Sequence, residues 1–235
     1  MTGSLYLIPV PLGPVNPEAC LPPDTLAVAR RLEHFVVERA KTARAHLKAM
    51  GHPQPIQALH LEELNEHTPA TAIAPLLAPL KAGHDVGLLS EAGCPAVADP
   101  GAALVLAAHR AAIRVVPLIG PSSILLALMA SGLGGQRFAF HGYLPAKEPE
   151  RSQAIRELEK TARRDRATQL FIETPYRSAA LLDALATALS PDTLVSVGAD
   201  LSLPSQLIQT YSAKSWRGKT DAVKDRLVVF GIGFE

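Results

Sequence analysis

Three stretches of the chain end an apolar run on a turn that combines Pro with Gly, small hydroxyls or charged groups, residue types suited to holding a small ligand. Leu88-Leu89 gives way to Ser90-Glu91-Ala92-Gly93-Cys94-Pro95, Val115-Val116 to Gly120-Pro121-Ser122-Ser123, and Phe171-Ile172 to Glu173-Thr174-Pro175-Tyr176-Arg177. Glycine lets backbone approach a ligand, proline sets the entry to the next helix, and serine offers a hydroxyl at its start. The amides at 120–123 can receive a carboxylate as readily as a cap. Glu173 suits a ligand amine or hydroxyl, and Arg177 an anionic group. Singly, each turn reads as ordinary capping, or as an ion pair at a helix start for Glu173 and Arg177. Two successive strand–turn–helix units of this kind read together as a ligand site.

The chemistry is narrowed by what is missing from these turns. Neither G-x-G-x-x-G nor G-x-x-x-x-G-K-[ST] occurs, and no lysine stands in 90–95 to meet a phosphate. That favours a ligand held by amides, hydroxyls and apolar walls over a triphosphate. The eight histidines have no metal spacing, so no metal is expected. There is no G-x-S-x-G elbow. The basic runs Arg39-Lys41-Arg44-Lys48, Arg163-Arg164-Arg166 and Lys214-Arg217-Lys219 read as solvated faces unless they line one surface, where they would attract a polyanion.

The elements that must carry these groups follow from the periodicity. The 235 residues suit one large domain or two smaller ones, and 48% apolar with only 5% aromatic content favours aliphatic α/β layers. A net charge of +1 excludes a broad nucleic-acid coat but not a local basic patch. Cys20 and Cys94 form neither a metal pattern nor a disulfide framework, and no signal peptide or membrane span is visible, so a cytoplasmic protein is expected. Strands are predicted at 4–8, 35–37, 56–59, 85–89, 114–118 and 138–141, alternating with helices and giving a largely parallel sheet. Pro75 and Pro79 predict a kinked or broken helix after Thr68-Pro69. The turn formers at 142–149 suggest a linker, hence domains at 1–142 and 143–235. In the second half helices become sparser and strands adjacent, which predicts a mixed sheet.

The series S-E-A-G-C-P-A-V-A-D-P-G, R-V-V-P-L-I-G-P-S-S, F-x-F-H-G-Y-L-P-A-K and F-I-E-T-P-Y-R resembles the tetrapyrrole-methylase superfamily of S-adenosylmethionine (SAM)-dependent methyltransferases, over essentially the whole chain. It is most similar to the branch that methylates the ribose 2′-oxygen of cytidine in small-subunit rRNA. The resemblance implies two α/β domains with a SAM cleft between them, and a homodimer. It places Leu12, Gly93, Cys94, Val97, Ser122 and Ser123 against SAM, with Phe171 and Ala199 contributing from the second domain.

The departures lie on the substrate side. The branch's E-D-T-R-x-T-R is here Glu38-Arg39-Ala40-Lys41-Thr42-Ala43-Arg44, its H-E-H-N-E is Glu62-Glu63-Leu64-Asn65-Glu66, and its K-G-E is Lys224-Asp225-Arg226. A ribose hydroxyl must lose a proton during transfer, so Glu38 and Glu173 are the candidate bases, with Arg44 and Arg177 as substrate anchors. Three activities stay open at this point: an rRNA 2′-O-methyltransferase acting on the small ribosomal subunit, a methyltransferase of a tetrapyrrole-like small molecule, and a catalytically silent SAM-binding module.

Overall fold

The structure, a computed structural model, describes residues 2–234. The chain forms two compact units, Met1–Ser122 and Ser123–Glu235. Unit 1 comprises β1 (Ser4–Ile8), α1 (Pro23–Arg31), β2 (His34–Val37), α2 (Ala40–Ala49), β3 (His60–Glu63), α3 (Ala78–Lys81), β4 (Val86–Leu89), α4 (Gly101–Arg110) and β5 (Arg114–Pro117). Its five strands are all parallel, in the order β3-β2-β4-β1-β5.

Side-chain alternation builds a core on each face of this sheet. Ile8 and Leu89 pack with Leu26 and Ala29 of α1 and Leu47 of α2. Leu5, Val86 and Leu88 pack with Leu80 of α3 and Leu104 and Ala108 of α4. The connection leaving β1 therefore passes over one face and the connection leaving β4 over the other. β1 and β4 are neighbours, so their carboxyl ends flank a topological switch point, where open α/β sheets bind ligands.

Unit 2 comprises α5 (Ser123–Ser131), β6 (Phe138–Tyr143), α6 (Glu150–Asp165), β7 (Thr168–Glu173), α7 (Pro175–Ala188), β8 (Leu194–Ala199), β9 (Leu207–Ser212), α8 (Ala213–Trp216) and β10 (Val228–Gly233). The sheet is mixed, as its sparse helices suggested: the order is β6-β7-β10-β8-β9, with only β6 and β7 parallel. β10 sorts its side chains by size. Phe230 and Ile232 join Ile155 of α6 and Leu182 of α7 in the core. On the opposite face Gly231 and Gly233 lie against Leu133.

Three expectations change. β6 pairs with β7 instead of closing the first half, so the units divide at residue 122 and the turn formers at 142–149 connect elements of one unit. The third strand is His60–Glu63; Ile56–Ala58 is a 3-10 turn. Its polar residues suit an edge strand, which apolar content alone cannot reveal. Between Thr68 and Lys81 the prolines break the helix into two 3-10 turns and the one-turn α3.

Candidate functional site

At the switch point the loops leaving β1, β4 and β5 are stitched by backbone. Val10 and Gly93 form an isolated antiparallel bridge, exchanging N–H···O bonds of 2.9 and 3.1 Å. Gly93 has φ +72°, and a Cβ there would meet Leu12 Cδ2 at 3.1 Å and the Pro121 carbonyl at 3.4 Å. Gly120 is fixed more tightly, since an added Cβ would lie 2.3 Å from Pro9 Cβ. These two glycines thus do what their types suggested: they let three loop backbones converge where side chains would not fit.

The β4 turn is tied internally as well. Asp99 Oδ1 accepts from the amides of Ala96 and Gly101, each at 2.8 Å. Ala96 and Ala98 take left-handed φ of 65° and 59°, which turns Val97 outward, half-exposed. Cys94 Sγ donates to the Pro121 carbonyl at 3.4 Å, and burial pushes its thiol pKa up. Leu12 and Ser122 are half-buried beside these loops, and Ser123 opens α5 as the first residue of unit 2.

Next to this turn sits an acidic group that sequence reasoning only partly identified. Glu38, just past β2, is half-buried and accepts from the Glu91 amide. Its pKa is raised by burial first, then by the charges of Glu91 and Asp99. Asp99 is raised too, by burial, in spite of its two amide donors. Thr42 Oγ1 donates to Glu91 Oε2 at 3.1 Å, and His46 Nε2–H donates to the Glu91 carbonyl at 3.1 Å. Thr42 and His46 stand four and eight residues beyond Glu38, so successive turns of α2 present them to one spot. That spacing was available in the sequence and went unread. Glu63 ends β3 and caps α2 by accepting from the Ala40 amide at 2.8 Å.

The second-unit candidates have a different character. Phe171 and Ala199 are fully buried, and Phe171 stacks on Phe230 at 5.8 Å. Their side chains are core, so a contact with a ligand at these positions would come from the strand backbone. Glu173 Oε1 accepts from Arg177 Nε at 2.9 Å and Nη2 at 2.6 Å, and from the Thr174 amide at 2.7 Å. Glu173 and Arg177 thus form the helix-start ion pair, each occupied by the other. Arg44 is exposed on α2. Among the described residues there is no group of three His, Cys, Asp or Glu able to hold a metal, and no helix is long and apolar enough to cross a membrane.

A doubly wound parallel sheet whose loops converge at its switch point is the α/β architecture in which ligands bind at that place, here joined to a mixed-sheet unit. Residues 6–215 match the family model of tetrapyrrole (corrin/porphyrin) methylases. The chain belongs to that family, whose methyltransferases use SAM. It is 35% identical over 208 residues to ribosomal RNA small subunit methyltransferase I of Xylella fastidiosa, covering 85% of this chain and 69% of that protein. It is also 35% identical over 183 residues to the protein of the same name from Escherichia coli O157:H7, covering 78% of this chain and 59% of that one. The crystal structure of the methyltransferase CobJ superposes with a TM-score of 0.65 at 21% identity, over 99% of this chain and 94% of that one, a likeness of fold.

Proposed function

We propose that the chain is a SAM-dependent methyltransferase acting on a ribose 2′-hydroxyl of small-subunit rRNA, with Glu38 as its general base. The reading is supported by the relatives' names and the family's cofactor. The observation that carries the choice of base is the state of the carboxylates. Glu38 has no basic partner among the described residues' hydrogen bonds and a raised pKa, whereas Glu173 is closed by Arg177. A carboxylate whose proton affinity is raised by burial and like charges is a better proton acceptor.

The residues present fit the cofactor. Bound there, SAM supplies an electrophilic methyl on a sulfonium. Leu12 and Val97 offer apolar contact, the backbone at Gly93 leaves room that a Cβ would fill, and Glu38, Glu91 and Asp99 place negative charge favourable to a cation. Ser122 offers a hydroxyl. Thr42 and His46 hold Glu91 in place, and Glu91 in turn donates its amide to Glu38. Glu38 takes the hydroxyl proton as the acceptor oxygen becomes nucleophilic. Arg44, exposed one turn along α2, is the anchor for a neighbouring phosphate.

The test is transfer of labelled methyl from SAM to purified small ribosomal subunits, run beside a small-molecule extract, with SAM binding measured by calorimetry. Label in the rRNA ribose supports the reading. Label only in the extract, or no binding of SAM at millimolar concentration, overturns it.

A further inference from the structure

The cavity at the Thr168 end of β7 lies at the other end of that strand from Glu173, about 17 Å away along six residues. It measures 480 Å³, enough for a nucleotide, and is lined by Arg163, Arg166, Thr168, Gly134, Gly233 and Phe234. The Arg163 guanidinium lies 4.3 Å from the Phe234 ring centroid, so a cation and an aromatic face form one stacked surface. Thr168 Oγ1 donates to the Gly134 carbonyl, which closes the floor. Among the described residues neither arginine has a carboxylate partner. The one acid of the α6 end, Asp165, is taken by Arg164 through bonds of 2.7 and 2.8 Å. Arg137, just before β6, adds further positive charge to the field around Asp165.

A plainer account is that Arg163 and Arg164 complement the negative carboxyl end of α6. It does not reach Arg166. That residue caps α6 with φ 47° and ψ 50°, the left-handed position that glycine fills without strain. An arginine there accepts an unfavourable backbone and puts its side chain into the cavity wall. Unpaired bases of RNA stack on aromatic rings and on arginine planes, and their phosphates take arginine forks.

We propose that this cavity holds one nucleotide of a single-stranded RNA segment, its base on the Arg163–Phe234 stack and its phosphate on Arg166. The inference rests on the reading of RNA as substrate and adds a contact far along unit 2 from Glu173. Binding of a short fluorescent oligocytidylate is followed by anisotropy across a salt series, for the parent chain, R163Q, R166G, R166K and R163Q/R166G. Melting temperature and SAM affinity are recorded for each.

R166G removes the strained side chain, so it is expected to melt close to the parent and to bind SAM equally. The double variant is expected to bind RNA about tenfold more weakly, with a log–log salt slope shallower by about 0.7, the share of the one phosphate held by Arg166. R166K is expected to keep most of the affinity. A parent that binds RNA, beside a folded double variant whose affinity is within about twofold of the parent and whose slope is unchanged, overturns the cavity proposal and leaves the RNA reading standing. A parent that binds no RNA overturns both.

Discussion

β2 and β7 each run into a glutamate and then a helix carrying an arginine, yet the two carboxylates live in opposite surroundings. Glu173 is 3% exposed in its side chain and is met by a two-pronged guanidinium. Glu38 is half-buried beside two further acids and accepts from an amide. The same residue type after a strand is closed by an ion pair in one unit, and in the other has its pKa raised by burial and two neighbouring carboxylates. Spacing explains the difference. Arg177 is four residues after Glu173 and reaches back over one helical turn, whereas Arg44 is six residues after Glu38 and points to solvent.

The comparison breaks most sharply at Glu38. Glu38→Gln is expected to lower kcat by about 100-fold or more, the usual range for losing a general base. SAM affinity should hold, and the melting temperature should equal or exceed the parent's, because one of three crowded carboxylates is neutralised. A kcat within about threefold of the parent would make Glu38 a bystander. Glu173→Gln should do the reverse. It leaves a guanidinium that is only 26% exposed without its partner, costing about 1–3 kcal/mol in denaturant unfolding, with kcat nearly unchanged.

Thr42→Val is a finer probe, since it deletes the hydroxyl that holds Glu91. A loss of about 1 kcal/mol, or severalfold in kcat with KM for RNA unchanged, is expected. The smallest effect is on pH dependence. Glu38 must be ionised to accept a proton, so activity rises with pH through its pKa, and that limb should lie above the ordinary glutamate range. Glu91→Gln removes one of the two repelling charges and should move the limb to lower pH. A limb that stays in place, or moves up, would contradict the coupling.

Much of unit 1 could be read from its residues. Apolar runs ending on Gly, Pro and Ser marked β1, β4 and β5, and the loops after them do converge. The acidic hub was harder to see, because Glu38, Glu91 and Asp99 are far apart in sequence and meet only through the β2–β4 pairing. β3 was misplaced since His60-Leu61-Glu62-Glu63 is an edge strand whose stability comes from its neighbour. Phe171 and Ala199 lie on the expected strands, and pleating turns both side chains into the core, an orientation the motif alone does not show. The first unit's boundary was set by β6, whose partner strand comes 25 residues later and cannot be inferred from local turn content.

The strand orders have a consequence for synthesis. Every strand of the first sheet has been made once Pro117 emerges, so that sheet can assemble while the rest is still being translated. In the second sheet the final strand, β10, lies between β7 and β8. Until Gly233 leaves the ribosome, those two have no partner on their inner sides and expose Phe171, Val195 and Val197 beside open edges. A chain stalled or nicked before β10 would therefore keep one finished half and one adhesive half, a natural substrate for chaperones and proteases.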